Sequence, residues 1–443
     1  MTTTPPTTPS SHAQALERVR AFLRAHGTSE EEIAEAEARD VLDLLVADRA
    51  LIPAERRYTQ SEVSEMTGMD PELTRRFWRA LGFPDAPPDE RMFTELDVEA
   101  LVTLRSMIDI GVADVDTSLQ FARVIGSSMA RIAEAEASPA VRGMAVGPGP
   151  GDTVEAADRF AQLADHTLPA LARLLEFAWR RHVQAAVRRS MLQRSRDHSA
   201  TLPVLAVGFA DMVGFTTLSQ QLSEEELAAV VSRFEEVAHE TVTAGGGRVV
   251  KMIGDEAMFV ADSALEAARI GLALAEAYAD DELLSDVRVA LAIGPVLVQD
   301  GDYYGPVVNL ASRVVNMAAP GAVIVTDEFH AALEPALSGG APGEEPDRAP
   351  EEPPDDTAPR AEFQFGMLRP RRVKDLGRIQ LWVLHRPGTE PVALDRRLGG
   401  RWERLAEVLQ DLDELREKGE RLITGARSGG AAQGGDPEGT ELE

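Results

Sequence analysis

Cysteine is absent from the 443 residues, which excludes disulfide frameworks, zinc–thiolate sites and thiol catalysis together. Lysine is nearly absent as well: Lys251, Lys374 and Lys418 are the three lysines among 45 basic residues. Cations as a class are outnumbered by 74 carboxylates, and the formal net charge of −29 repels DNA and anionic membrane surfaces. Nucleic-acid binding is therefore not expected. No apolar run approaches the roughly 20 residues of a membrane span. The opening MTTTPPTTPSS has neither the basic region nor the apolar core of a secretion signal. A soluble, cytoplasmic chain with no membrane partner is expected. What remains is ordinary for a globular protein, 44% apolar and 27% charged residues. The length suggests two or three domains at about 150 residues each.

Residues 1–12 are mostly Thr, Pro and Ser and are expected to be disordered. Residues 13–199 carry helical patterning almost free of strand signals, so an all-α domain is expected there. Ser29 followed by Glu30, Glu31 and Glu32 reads as an N-cap with an acidic first turn. After the Gly/Pro-rich GMAVGPGPGD, residues 154–199 form a linker helix, one long or two in sequence, with Pro169 as a kink or restart. Its second part is basic (Arg173, Arg180, Arg181, Arg188, Arg189, Arg194 and Arg196 against Glu176 alone) and suits an acidic docking surface.

At Leu202 the texture changes to α+β. LPVLAVGFAD is a buried-strand run, a helix follows over 223–244, and GGGRVVKMIGDEAMFVA reads as two strands joined by a Gly-Asp turn. A helix over 263–279, a strand over 287–293, a helix opening near Val308, the strand GAVIVT and a last strand in RIQLWVL complete the order. This predicts a ferredoxin-like αβ sandwich over 200–390. The stretch 336–361, rich in Pro and acids from Ala341 to Arg360, reads as a disordered insertion. Residues 391–443 are expected to hold an amphipathic helix over about 401–423 and a disordered Gly-rich tail.

Two aspartates in the second half sit where hard cations could be held. Asp211 ends an apolar strand, and Gly214-Phe215-Thr216-Thr217 then leads towards a helix whose amides suit phosphate oxygens. Asp255 stands in the turn between neighbouring strands. Either alone reads as a turn aspartate or strand-end cap; together they could bridge two divalent cations.

FADMVGFTTLS, KMIGDEAMF and DYYGPVVNLASRV resemble, in order and spacing, the signature segments of class III nucleotide cyclases. The likeness spans about residues 203–384 without the insertion. It implies that Asp211, Asp255 and the carbonyl of Met212 ligate two Mg²⁺ or Mn²⁺ ions per active site. It implies also that Phe215 and Thr216 lie in the loop cradling the β- and γ-phosphates, that Asn309 orients the ribose, and that Arg313 stabilises charge on the transferred phosphate. Lys374 matches a triphosphate-binding lysine. Lys251 and Asp302 match the base-reading pair, and the chemistry says ATP: a lysine donates to adenine N1 and an aspartate accepts from N6, whereas guanine offers the opposite pattern. Both lysines of this segment thus stand at nucleotide positions, although arginine is the default cation of the chain. Because a single chain has all seven polar residues that unlike domains share in heterodimeric relatives, a head-to-tail homodimer is implied.

YTQSEVSEMTG running into ELTRRFWRALGFP and ERMFTELDVEAL, about residues 57–110, looks like the winged helix-turn-helix head of MerR-type regulators. Arg75, Arg76 and Arg79 would face DNA, but Glu62, Glu65, Asp70 and Glu72 crowd the same segment, and packing or sensing is favoured. The first half is also similar in layout to the regulatory domains of some actinobacterial cyclases, which inhibit catalysis and respond to pH. His12, His26, His166, His182 and His198 lie there, and imidazoles titrate in the right range. The expected function is an adenylate cyclase (a phosphorus–oxygen lyase forming 3′,5′-cyclic AMP and pyrophosphate), regulated through its helical half. The alternative is a DNA-binding regulator whose cyclase-like half only senses nucleotide; guanylate cyclase is disfavoured by Lys251 and Asp302.

Overall fold

The computed structural model describes residues 11–87, 89–145, 153–196, 202–337, 362–373 and 376–389. The chain divides into two compact units, Met1–His198 and Ser199–Glu443. Among the described residues no helix is long and apolar enough to cross a membrane.

Among the described residues the first unit holds eight helices: α1 (Ser11–Ala25), α2 (Glu30–Ala38), α3 (Leu42–Leu51), α4 (Gln60–Thr67), α5 (Pro71–Ala80), α6 (Glu95–Asp109), α7 (Val115–Ala145) and α8 (Thr153–Arg196). α1 opens at Ser11, two residues before the expected helical start. Ser29 caps α2 in a reciprocal capping box with Glu32, satisfying two otherwise orphaned amides. α8 is a single continuous helix through Pro169. One core joins Val19, Leu23, Ile33 and Val46 to Ala157 and Ala161 of α8. A second gathers Val63, Phe77, Phe93, Leu101 and Leu119 around the helix-turn-helix segment.

That segment folds by local rules. Thr59 and Glu62 form the capping box of α4, Gly68 closes it at φ 63, and Asp70 caps α5 with Pro71 in its first turn. Tyr58 and Phe93 form an isolated bridge before α6. At Gly126, α7 passes so close to the end of α5 that a Cβ would lie 2.4 Å from the Leu81 carbonyl oxygen. The arginines that a DNA-binding reading would use each stand beside a carboxylate: Arg75 pairs with Glu72, Arg79 with Asp85, and Arg76 lies 3.6 Å from Asp116.

The second unit is built on a seven-stranded sheet. Its elements are β1 (Val204–Met212), α9 (Phe215–Leu218), α10 (Glu224–Ala244), β2 (Arg248–Ile253), β3 (Glu256–Ala261), α11 (Ala264–Asp280), β4 (Val287–Pro295), β5 (Leu297–Gln299), β6 (Asp302–Tyr304), α12 (Pro306–Val315), β7 (Val323–Thr326), α13 (Asp327–Leu337), β8 (Gln364–Met367), β9 (Arg371–Val373), β10 (Gly377–Ile379) and β11 (Leu381–His385). The strand order is β2-β3-β1-β4-β7-β11-β8. Its first four strands follow the ferredoxin-like order, with β1 antiparallel to both neighbours; β7 extends the sheet in parallel to β4. α13 runs to Leu337, so the expected insertion starting at 336 opens on helical residues. Of that insertion, residues 338–361 lie outside the described residues, as do the expected C-terminal helix and tail.

Strand alternation divides β1 between two cores. Ala206, Ala210 and Met212 pack with α10 and α11 around Phe234, Phe259, Ile270 and Tyr278, while Leu205, Val207 and Phe209 pack with Ala311, Val314 and Val315 of α12. Gly208 has no side chain because the Phe259 ring lies over it, where a Cβ would sit 2.1 Å from Cζ. Tyr278 donates its buried hydroxyl to the Phe234 carbonyl at 2.7 Å, pinning α11 to α10.

Candidate active site

The site grows from the end of β1. Asp211 lies in register with Glu256 on β3 and with Arg288 on β4, so three charged residues cross the sheet in one row. Gly254, at φ 63, makes the tight turn between β2 and β3 that carries Asp255. The Met212 amide donates to the Asp255 carbonyl at 2.9 Å and ties that turn to β1. Asp211 and Asp255 are thereby neighbours, and the electrostatics register it. Burial, then the Asp255 charge, pushes Asp211 up to about 6, against the pull of Arg288. Burial, then Asp211 and Asp255, pushes Glu256 up to about 7.

Glu256 and Arg288 were not singled out from the sequence. Arg288 Nη1 lies 3.6 Å from Asp211 Oδ2, while its Nε and one carboxylate oxygen of Glu256 are buried without a hydrogen-bond partner among the described residues. A signal for Arg288 was present, since a charge inside the apolar strand VRVALAI requires a reason. Glu256 could be placed only through the register of β3 against β1.

These residues fit a hard divalent cation. Carboxylates forced together and partly stripped of water gain by sharing a cation between them. Mg²⁺ or a similar ion is usually held by one or two carboxylates and takes its other ligands from phosphate oxygens and water. After Met212, Gly214 at φ 77 turns the chain into α9, which begins with Phe215 and Thr216.

A second group of polar residues stands on other elements. Lys251 is on β2, where the pairing with β3 shifts between Val249 and Lys251, a bulge that re-aims the following side chain. Its Nζ donates to Asp302 Oδ2 at 2.5 Å. Asp302 opens β6 after the tight turn at Asp300 and Gly301, and its other oxygen accepts from the Tyr303 amide at 2.8 Å. α12 follows at once. It buries Ala311, Val314 and Val315 and leaves Asn309 and Arg313, one turn apart, on its exposed face. Lys374 lies outside the described residues.

The aspartate pair at the end of β1 and the Lys251–Asp302 pair thus stand on one ferredoxin-like sheet and the segments beside it. Residues 199–344 match the family described as adenylate and guanylate cyclase catalytic domain, and residues 10–184 match the adenylate cyclase regulatory domain. An adenylate cyclase from Streptomyces coelicolor is 37% identical over 345 residues, covering 76% of this chain and 88% of the relative. One from Glutamicibacter nicotianae is 36% identical over 290 residues, covering 62% and 72%. A Mycobacterium tuberculosis protein named pH-sensitive adenylate cyclase is 29% identical over 356 residues, covering 78% and 83%. The chain belongs to this family of bacterial adenylate cyclases, in which a regulatory domain precedes the catalytic one.

Proposed function

We propose that the protein converts ATP to 3′,5′-cyclic AMP and pyrophosphate at sites shared between two copies of the chain. The observation that carries the choice of ATP is the Lys251–Asp302 pair. The ammonium has donors left for adenine N1, and the carboxylate can accept from the N6 amino group. Guanine would set its N1–H against the lysine and its O6 against the aspartate, leaving both pairs mismatched.

Asp211 and Asp255, with the Met212 carbonyl, would hold two Mg²⁺ or Mn²⁺ ions. Such ions acidify the ribose 3′-hydroxyl and neutralise the triphosphate. The chain's own residues do the rest. Asn309 orients the ribose so that its 3′-oxygen lies in line with the α-phosphorus and the pyrophosphate leaving group. Arg313 stabilises the charge that develops on the transferred phosphoryl group. Phe215 and Thr216 amides take β- and γ-phosphate oxygens, and Lys374 adds a cation to the triphosphate. Asn309 and Arg313 are exposed on a single copy, which supports a head-to-tail homodimer in which one copy's aspartates face the other copy's α12.

The helical domain, residues 13–199, would set how the catalytic halves align, with pH as a candidate input because the tuberculosis relative bears that name. His12 contacts Glu155, His26 stacks on Phe22, and His182 is exposed on α8; His198 lies outside the described residues. The deciding test is cyclic nucleotide formation by the full chain with Mn²⁺, ATP against GTP, from pH 5.5 to 8. Cyclic AMP formed in preference to cyclic GMP, and lost in Asp211→Ala, is the expected result. Equal use of GTP would remove the assigned role of the Lys251–Asp302 pair.

A further inference from the structure

Alternation along the strands sends Asp211, Glu256 and Arg288 to one face of the sheet. It is the face on which Phe209, Met258 and Ala290, one step back in the same register, pack with α12. Arg288 is thus a cation built into the row at the end of β1, with Asp211 directly across from it and Glu256 one strand beyond. The reaction assigned to this site gives neither Arg288 nor Glu256 a role.

Arginines elsewhere in this unit close a tight fork on their carboxylates. Arg269 meets Glu362 at 2.7 and 2.8 Å, and Arg386 meets Glu276 at 2.5 and 2.9 Å. Arg288 does not close one. Its Nη1 stops 3.6 Å from Asp211 Oδ2, beyond hydrogen-bond length, and its Nε is buried without a hydrogen-bond partner among the described residues. On the other side of Asp211, one oxygen of Glu256 is likewise buried without a partner there. Solvent does not make up the difference, since the side chains of Asp211 and Arg288 are only 16% and 26% exposed. Buried donors and acceptors left unmade are costly, and a pair whose purpose was to hold the sheet together would be closed. An open pair on a carboxylate suits one that must be given up to another cation.

We propose that Arg288 is a placeholder for the divalent cation. It partly neutralises Asp211 in the metal-free protein, gives way when the ion arrives, and so sets how tightly the site holds metal. It is a positioning residue and not a ligand. The inference rests on the assignment of Asp211 as a metal ligand. Its physical basis is that a guanidinium beside this carboxylate repels a divalent ion on the same carboxylate.

The test uses Mn²⁺ alone, titrated into the full chain as the parent and as Asp211→Ala, Arg288→Gln and Arg288→Lys, with the free ion read by electron paramagnetic resonance. Binding that the parent shows and Asp211→Ala lacks is binding at this site, separate from that at surface carboxylates. Arg288→Gln should tighten it at least ~5-fold, because a like charge has been removed. Arg288→Lys keeps the charge and should stay within about 3-fold of the parent. Unchanged or weaker binding in Arg288→Gln would overturn the proposal and make Arg288 a support for Asp211; so would Arg288→Lys binding as tightly as Arg288→Gln. If the parent and Asp211→Ala bind alike, the metal assignment itself fails and the placeholder falls with it. Melting gives a second reading. Arg288→Gln should melt earlier than the parent in EDTA, where the crowded carboxylates have lost their cation, and excess Mn²⁺ should erase the difference. A deficit that persists in Mn²⁺ would equally count against the proposal, because metal restores a missing charge but not missing packing.

Discussion

The helical unit and the end of β1 set their carboxylates in different company. In the helical unit carboxylates are set beside arginines: Asp158 with Arg18, Glu37 with Arg20, Asp85 with Arg79, Glu62 with Arg91. Asp158, Glu37 and Asp85 are held below the usual carboxylate range, in each case first by the hydrogen bond from their arginine. In the catalytic unit Asp211, Asp255 and Glu256 are set beside one another, and burial together with mutual repulsion pushes Asp211 and Glu256 up. Ordinary pairs occur in the catalytic unit too, such as Arg269 with Glu362, and Lys251 with Asp302 is one within the candidate site. What sets the end of β1 apart is carboxylates crowded together under burial.

The sharpest way to break this contrast is to remove one crowded carboxylate. Asp211→Asn should lower cyclic AMP formation by at least ~10³-fold, yet the metal-free protein should melt no earlier at pH 7 than the parent. A large loss of melting temperature would instead make Asp211 structural. Lys251→Ala comes next. It should cost roughly 100-fold in kcat/KM with ATP and much less with GTP, narrowing the preference between them. On the helical side, Gly126→Val forces a side chain against the Leu81 carbonyl and should destabilise that unit by about 1–3 kcal/mol, read as an earlier calorimetric transition of that unit with the catalytic one unmoved.

The stability that these two sets of carboxylates contribute should depend on pH in opposite directions. Carboxylates with lowered values, such as Asp158 and Glu37, stabilise the helical unit above about pH 4, and that stability fades on acidification. Asp211 and Glu256, raised to about 6 and about 7, bind more protons when folded than when unfolded. Their contribution therefore falls as pH rises from about 4 to about 7 in metal-free protein. Calorimetry in EDTA, repeated with excess Mn²⁺, should show the catalytic transition recovering only when metal is present. The smallest effect is expected at Arg76: its partner Asp116 is almost fully exposed, so Arg76→Ala should change stability by less than about 0.5 kcal/mol.

Much of the candidate site could be proposed from sequence because its residues are local events. Asp211 closes an apolar strand, Asp255 sits in a Gly-Asp turn, and Asn309 and Arg313 are one helical turn apart. The ferredoxin-like order followed from alternating strand and helix patterns. What stayed hidden depends on register between distant segments. Glu256 and Arg288 join Asp211 only because β3 and β4 flank β1, and the short strands β5, β6, β8, β9 and β10 lack the apolar runs that announce a buried strand. Pro169 offered a kink or a restart, and the helix passes through it unbroken. In the helix-turn-helix segment the caps and the crowding of acids among the arginines were legible, but not which acid each arginine would meet.

The most direct measurement mixes two inactive chains. Asp211→Ala removes the proposed metal ligand and Asn309→Ala the proposed ribose contact, so on this account neither homodimer has a complete site. If sites are shared head to tail, each mixed dimer regains one. An equimolar mixture should then recover about a quarter of parental cyclic AMP formation from random pairing. A mixture no more active than its separate components, with mixed dimers confirmed by mass, would contradict a site shared between two copies.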